Sequence, residues 1–287
     1  MSAAVEGRLS LAGDVRAFVA SFRKELRIVR RYPAQLVGLV FWPIALPGFT
    51  VLMGRTYSGN GDPQAVAAFA ERAGTADFAG FVFVGWAMYM WLSVLLWGPG
   101  TSLRQEQLRG SLEAVFLTPA TRLVPLFAPP IAHLPFTFVD LAIMAAAMRV
   151  LFGIELAADA LLRALVVVIV AIPAMYAIGS LFATAVLKIG ETGPIVQLVR
   201  GMFSLACGIT FPIVMLPGWA QTFAWTLPPT YVVSDIRAVL LGGVGLPGIV
   251  LDLVFLVVSA VVVALAAAAA FRVLERSARQ TGMLGRY

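Results

Sequence analysis

The chain has 287 residues, 60% hydrophobic and 13% charged, with a formal net charge of +6. Soluble domains carry about 25% charged residues, so this composition excludes an ordinary globular core, and several apolar runs of about 20 residues point to a polytopic membrane protein. The cationic excess fits one face of a bilayer better than nucleic acid, while the single cysteine, Cys207, and single histidine, His133, exclude an internal disulfide and any familiar metal-ligand spacing.

The first thirty residues lack the central apolar stretch of a cleavable signal peptide. Residues 14–32 predict a helix lying in the membrane interface. Asp14 caps it, Val15, Phe18, Val19, Phe22, Leu26 and Val29 form one stripe, and Arg16, Arg23, Lys24, Arg27, Arg30 and Arg31 fill the other side. A soluble amphipathic helix has the same outline, but the membrane run that follows favours the interface. The first span is read at 34–53, interrupted by Pro43 and Pro47. In the polar loop 54–79, Asp62-Pro63 is a cap followed by a first-turn proline, and 65–72 predicts a short helix ended at Gly74. The second span is 80–97, with Trp86, Trp91 and Trp97 at interfacial or packing positions.

Residues 98–122 are the only long polar interval between two runs hydrophobic enough to cross a bilayer. They predict a helix over 102–118. Thr101 and Ser102 are cap candidates, and Gln105 stands at capping-box spacing from Ser102. Leu108, Leu112, Val115 and Phe116 recur on one face, with Arg104, Glu106, Arg109 and Glu113 around it. Thr118-Pro119 ends the helix. A short amphipathic helix between two spans makes a docking surface for a soluble partner; an ordinary connecting loop is the plainer alternative.

The third span falls within 123–150, its start crowded by Pro125, Pro129, Pro130 and Pro135 and therefore irregular. The fourth is 161–187, kinked near Pro173, and a polar turn at 188–193 leads to a fifth that runs from 194 towards 211. Then Pro212, Pro217, Pro228 and Pro229 forbid one continuous helix in a segment that stays apolar. Residues 211–230 are read as a re-entrant pair of short helices, since broken backbone survives at membrane depth only when covered; an external apolar loop is the alternative. A glycine-rich turn at 240–248, a sixth span at 249–271 and a basic tail at 272–287 complete a single transmembrane domain over 1–287, all-α, with six spans.

Six spans put both termini on one side. Lysine and arginine concentrate before 32, in 98–122, at Lys188 and in the tail, against Arg55, Arg72, Arg149, Arg163 and Arg237 opposite. This places the termini and 98–122 in the cytoplasm. Within the spans, His133 and Asp140 are seven residues apart on nearly one helical face. Arg200 and Asp252 are further ionisable residues there. Such residues default to functional hypotheses, although Arg200 is placed to snorkel and His133 suits a packing role. Asp140 is the best candidate to face a polar pathway or an interhelical partner. A proton-coupled secondary transporter, with His133 and Asp140 as relay, is a rival reading; no inverted repeat supports it. No metal or nucleophile-base constellation suggests an enzyme.

Three segments together resemble the ABC-2 type exporter permeases, the membrane subunits of drug, lipid and polysaccharide exporters. They are EQLRGSLEAVFLTPATR at 106–122, GITFPIVMLPGW at 208–219 and LERSARQTGMLGRY at 274–287. The resemblance implies six transmembrane helices per subunit, paired as a dimer. It implies that Glu106, Gly110, Leu112, Glu113, Thr118 and Pro119 belong to a coupling element contacting a nucleotide-binding subunit. It further implies that Phe211, Pro212, Leu216 and Pro217 form part of an outer re-entrant gate. Ser111 departs from the threonine common in the family. No stretch matches G-x-x-x-x-G-K-[ST], so this chain has no phosphate-cradling loop. ATP and Mg are expected on a partner ATPase, with no cofactor in this chain. The other expected partners are a second permease copy or paralogue and membrane lipid, with no nucleic acid. The expected location is the bacterial cytoplasmic membrane. The expected task is export of amphipathic or hydrophobic molecules, with a lipid-linked polysaccharide as the alternative cargo.

Overall fold

A computed structural model describes residues 34–57, 62–108, 110, 124–153 and 157–281, with scattered positions between 13 and 31. Among the described residues every regular element is a helix. In order they are α1 (Ala34–Tyr57), α2 (Pro63–Ala73), α3 (Phe78–Trp97), α4 (Pro99–Leu108), α5 (Val124–Phe152), α6 (Ala158–Ile189) and α7 (Gly193–Ala206). A 3₁₀ turn (Ile213–Met215), α8 (Gly218–Ala224), α9 (Pro228–Leu240), a second 3₁₀ turn (Leu246–Ile249) and α10 (Val250–Thr281) follow.

Among the described residues four stretches are long and apolar enough to cross a membrane: Phe78–Leu108, His133–Phe152, Ala158–Ile189 and Leu246–Ser277. Their outward surfaces fit that environment, with Leu251, Leu265 and Val150 at 83%, 67% and 81% exposure. Apolar exposure on this scale needs a cover. α1 has 24 residues, about 36 Å at 1.5 Å per residue. It stays helical through Pro43 and Pro47, where an interruption was expected. The two prolines lie four residues apart and both are buried, so their missing N–H groups fall on one packed face. α5 is likewise helical from Val124 onward, despite its early prolines.

α7 differs most from expectation. It has 14 residues and stops at Ala206, about 21 Å long, short of a hydrocarbon layer of about 30 Å. The Cys207 N–H closes the helix on the Phe203 carbonyl at 2.9 Å. Gly208 then takes a φ of 67°, a left-handed turn. By contrast α2 forms as the sequence predicts. The Asp62 side chain accepts from the Gln64 N–H at 3.2 Å, Pro63 opens the helix and Gly74 closes it at φ 72°.

The core is built around α6. Ala171, Ala174 and Ala177 leave its surface low, and all are buried, so neighbouring helices approach closely. Trp91, Leu92 and Leu95 of α3, Met175 of α6, Val232 of α9 and Leu256 of α10 share the central cluster. α1 joins this body through Trp86, whose Nε1 donates to Thr50 Oγ1 at 3.0 Å.

Candidate functional site

The first site is the junction of α3 and α4. Gly98 ends α3 with its N–H on the Val94 carbonyl, and α4 begins one residue later at Pro99. The capping box expected at Ser102 and Gln105 does not form, because Ser102 already lies inside the helix. Ser102 Oγ instead donates to the Pro99 carbonyl at 2.8 Å, Thr101 Oγ1 to the Trp97 carbonyl at 2.7 Å, and Gln105 Nε2 to Thr101 Oγ1 at 3.0 Å. Proline supplies the helix start.

α4 has two faces. Pro99, Gly100, Thr101, Leu103 and Gln107 are buried. Leu103 packs with Leu126 of α5, Ala183 and Leu187 of α6, and Phe271 and Leu274 of α10. Gly100 is needed for that fit, since a Cβ there would lie 2.7 Å from the Phe182 ring. On the other face Gln105 and Leu108 are exposed, as is Gly110 just beyond the helix. Glu106 accepts an ion pair from Lys24 at 2.6 Å. Gly110, at φ 71°, donates to the Gln107 carbonyl at 3.0 Å and turns the chain out of α4. Of the expected coupling residues, Glu106 and Gly110 are therefore placed at this junction. Leu112, Glu113, Thr118 and Pro119 lie outside the described residues, as do Val115 and Phe116.

His133 of α5 belongs to the same junction. Its ring sits where a Cβ on Gly98 would come within 2.7 Å, and lies 6.0 Å from the Phe136 ring. Asp140 lies two turns further along α5. It is 4% exposed, and it accepts no hydrogen bond among the described residues. Between the two, Thr137 Oγ1 meets the Tyr176 hydroxyl at 2.9 Å and ties α5 to α6. The helix puts His133 and Asp140 on one face but about 10 Å apart along its axis; it does not bring them into contact.

The second site is the turn after α7. Pro212 is buried and its carbonyl accepts from the Met215 N–H at 3.0 Å; the Pro217 carbonyl accepts from Ala220 at 2.8 Å. Each proline thus opens a short helical piece. Gln221 Nε2 donates to the Leu216 carbonyl at 2.8 Å and holds the two pieces together. Phe211 and Leu216 are half-buried, whereas Val214, Met215 and Trp219 form an exposed apolar tip.

Sequence reasoning counted Arg237 only as a basic residue of one side. Its guanidinium in fact holds this turn. It donates to the Gly208 carbonyl at 2.6 Å, to Ile209 at 3.2 Å and to Phe81 at 2.9 Å, and lies 3.4 Å from the Phe81 ring centroid. The signal was available: an arginine inside an otherwise apolar stretch needs partners. Gly85 was missed as well. A Cβ there would lie 1.8 Å from the Ile209 carbonyl oxygen, so only glycine lets the turn reach α3.

A sequence model described as ABC-2 type transporter matches residues 16–241. The chain belongs to the ABC-2 type transporter family. Comparison with curated proteins finds no match. The ABC-2 match covers both sites, from the segment holding Lys24, through the α3–α4 junction, to the end of α9. An ABC-2 membrane domain is a multi-pass transport subunit and not itself an ATPase, and the helices above carry the apolar surfaces that role requires.

Proposed function

We propose that this chain is the permease subunit of an ATP-driven exporter. It moves amphipathic or hydrophobic molecules such as drugs, lipids or glycolipids across the cytoplasmic membrane. A separate nucleotide-binding subunit supplies the energy. α1, α3, α5, α6, α7 with the turn beyond it, and α10 serve as six spans, with both termini cytoplasmic. Residues 211–230 re-enter the membrane from outside as a gate, and two permease subunits pair around the pathway.

The observation that carries this reading is the two-faced α4. One face is exposed and linked to Lys24; the other is wedged among α5, α6 and α10. A push on the exposed face passes into three helices at once. The partner's differential binding of nucleotide in two states supplies that push. The segment 102–118, which begins in α4 and turns at Gly110, serves as the coupling element, with Leu112 and Glu113 against the partner, and residues 14–32 serve as the interfacial segment linked to it through Lys24.

The test is purification of the tagged full chain from native membranes in mild detergent, followed by identification of what accompanies it and an ATPase assay. A co-purifying subunit with a phosphate-binding loop, lost when Leu112 and Glu113 are replaced, supports the reading. A solitary chain that moves substrate on a proton gradient without ATP overturns it.

A further inference from the structure

A groove of about 280 Å³ lies between α3, α5, α6 and α9. Every residue that lines it is apolar, with Phe138 and Leu141 of α5, Leu165 and Val168 of α6 and Leu240 of α9 as its main walls. Ala142 and Ala145 leave the space open along α5. An apolar cavity of about 150 Å³ stays dry and admits a small hydrocarbon. Water is therefore a poor occupant of this larger groove. Ala142 is exposed and Leu165 is 41% exposed, so the groove opens at the protein surface, which the topology proposed above turns towards the bilayer.

A cation follows the groove's face along α5. Arg149 is in the last turn of α5 and exposed. It follows Ala145 by one turn and shares its face. Asp159, at the start of α6, is already paired with Arg163 at 2.6 Å, and Glu155 lies outside the described residues. That arginine also donates to the Val244 carbonyl. Arg149 thus adds positive charge along the face of α5 that lines the groove.

We propose that this groove holds one acyl chain of an anionic glycerophospholipid resident in the outer leaflet, its phosphate against Arg149. The assignment to the outer leaflet rests on the topology proposed above. The chain would wedge between α5 and α9, and α9 carries the arginine that holds the outer turn. An occupied groove braces that turn from behind.

The test uses the full chain, with its ATPase partner, in liposomes that contain phosphatidylglycerol bearing a photoreactive acyl chain. A parallel preparation uses photoreactive phosphatidylcholine. Cross-links should concentrate on 138–145 and 161–168, and phosphatidylglycerol should label more strongly. Ala142→Trp, which fills the groove, should lower labelling about tenfold, a loss of roughly 1.4 kcal/mol in binding. Arg149→Gln, at an exposed position, should abolish the preference for phosphatidylglycerol and leave the labelled peptides unchanged. Labelling spread evenly over all lipid-facing helices, or equal labelling by both lipids in the unaltered chain, overturns the proposal. ATP hydrolysis is read on the same samples. Its absence with the labelling pattern intact counts against the exporter reading and not against the groove.

Discussion

Lys24 and Glu106 form a 2.6 Å ion pair across 82 positions of chain. The pair joins the basic N-terminal segment to the helix read as the coupling element.

The pair is suited to transmission more than to stability. Lys24 is 42% exposed in its side chain and Glu106 19%, so water screens it and its worth is about 0.2–1 kcal/mol. Lys24→Glu and Glu106→Lys should each lower substrate-stimulated ATP hydrolysis of the complex severalfold while barely moving the thermal midpoint. The double exchange should restore most of the loss. Single variants that act as strongly together as separately, with no recovery, would show that the two residues work independently.

Gly85 reverses the usual expectation for glycine in a helix. Alanine normally stabilises a helix interior by about 0.5–1 kcal/mol relative to glycine. At Gly85 the added Cβ would meet the Ile209 carbonyl oxygen at 1.8 Å, whereas at Gly201 of α7 nothing lies within 4 Å. Gly85→Ala should therefore destabilise by about 1–3 kcal/mol through overpacking, and Gly201→Ala should be neutral or stabilising. Thermal unfolding in detergent, followed by size-exclusion chromatography, separates the two. Equal behaviour would mean that the turn does not rest on α3 in the way described.

Arg237 offers the sharpest test of the turn after α7. Its fork serves three carbonyls from two segments and its Nε is fully enclosed. Lysine cannot reproduce that geometry. Hydrogen bonds to a charged donor are worth about 1.5–3 kcal/mol each, so Arg237→Ala should cost several kcal/mol and Arg237→Lys about half as much. Limited proteolysis after Trp219 should rise in the same order. A turn as resistant in Arg237→Ala as in the unaltered chain would rule out the latch.

These residues also mark how far the sequence was legible. Helices were readable wherever local chemistry decides them. Asp62-Pro63 and Gly74 bracket α2, and Gly190 ends α6 at φ 86° within the predicted turn. Junctions were less readable, because they depend on what packs behind them. Ser102 looks like a cap until Pro99 starts the helix three residues earlier. Gly208 ends α7 early because Arg237, 29 residues away, takes its carbonyl. Gly85 looks like any glycine in an apolar run until the Ile209 backbone is laid against it. Of the residues tied to a coupling role by family resemblance, Glu106 and Gly110 fall within the described residues, Glu106 in its ion pair with Lys24 and Gly110 at the turn after α4.

Asp140 is the residue whose role the fold sharpens most. It is 4% exposed, and among the described residues nothing donates to it. A buried carboxylate in that position costs stability unless something else compensates. Nearby, the Thr137–Tyr176 bond at 2.9 Å provides a purely structural comparison. Asp140→Asn keeps the shape and removes the charge, so the thermal midpoint should hold or rise. Export should nonetheless fall if Asp140 faces the pathway. Tyr176→Phe should lose about 1 kcal/mol of stability with export intact. Vesicle export at matched expression, measured beside thermal unfolding, distinguishes these outcomes. Undiminished export by both Asp140→Asn and Asp140→Ala would leave Asp140 with a packing role only.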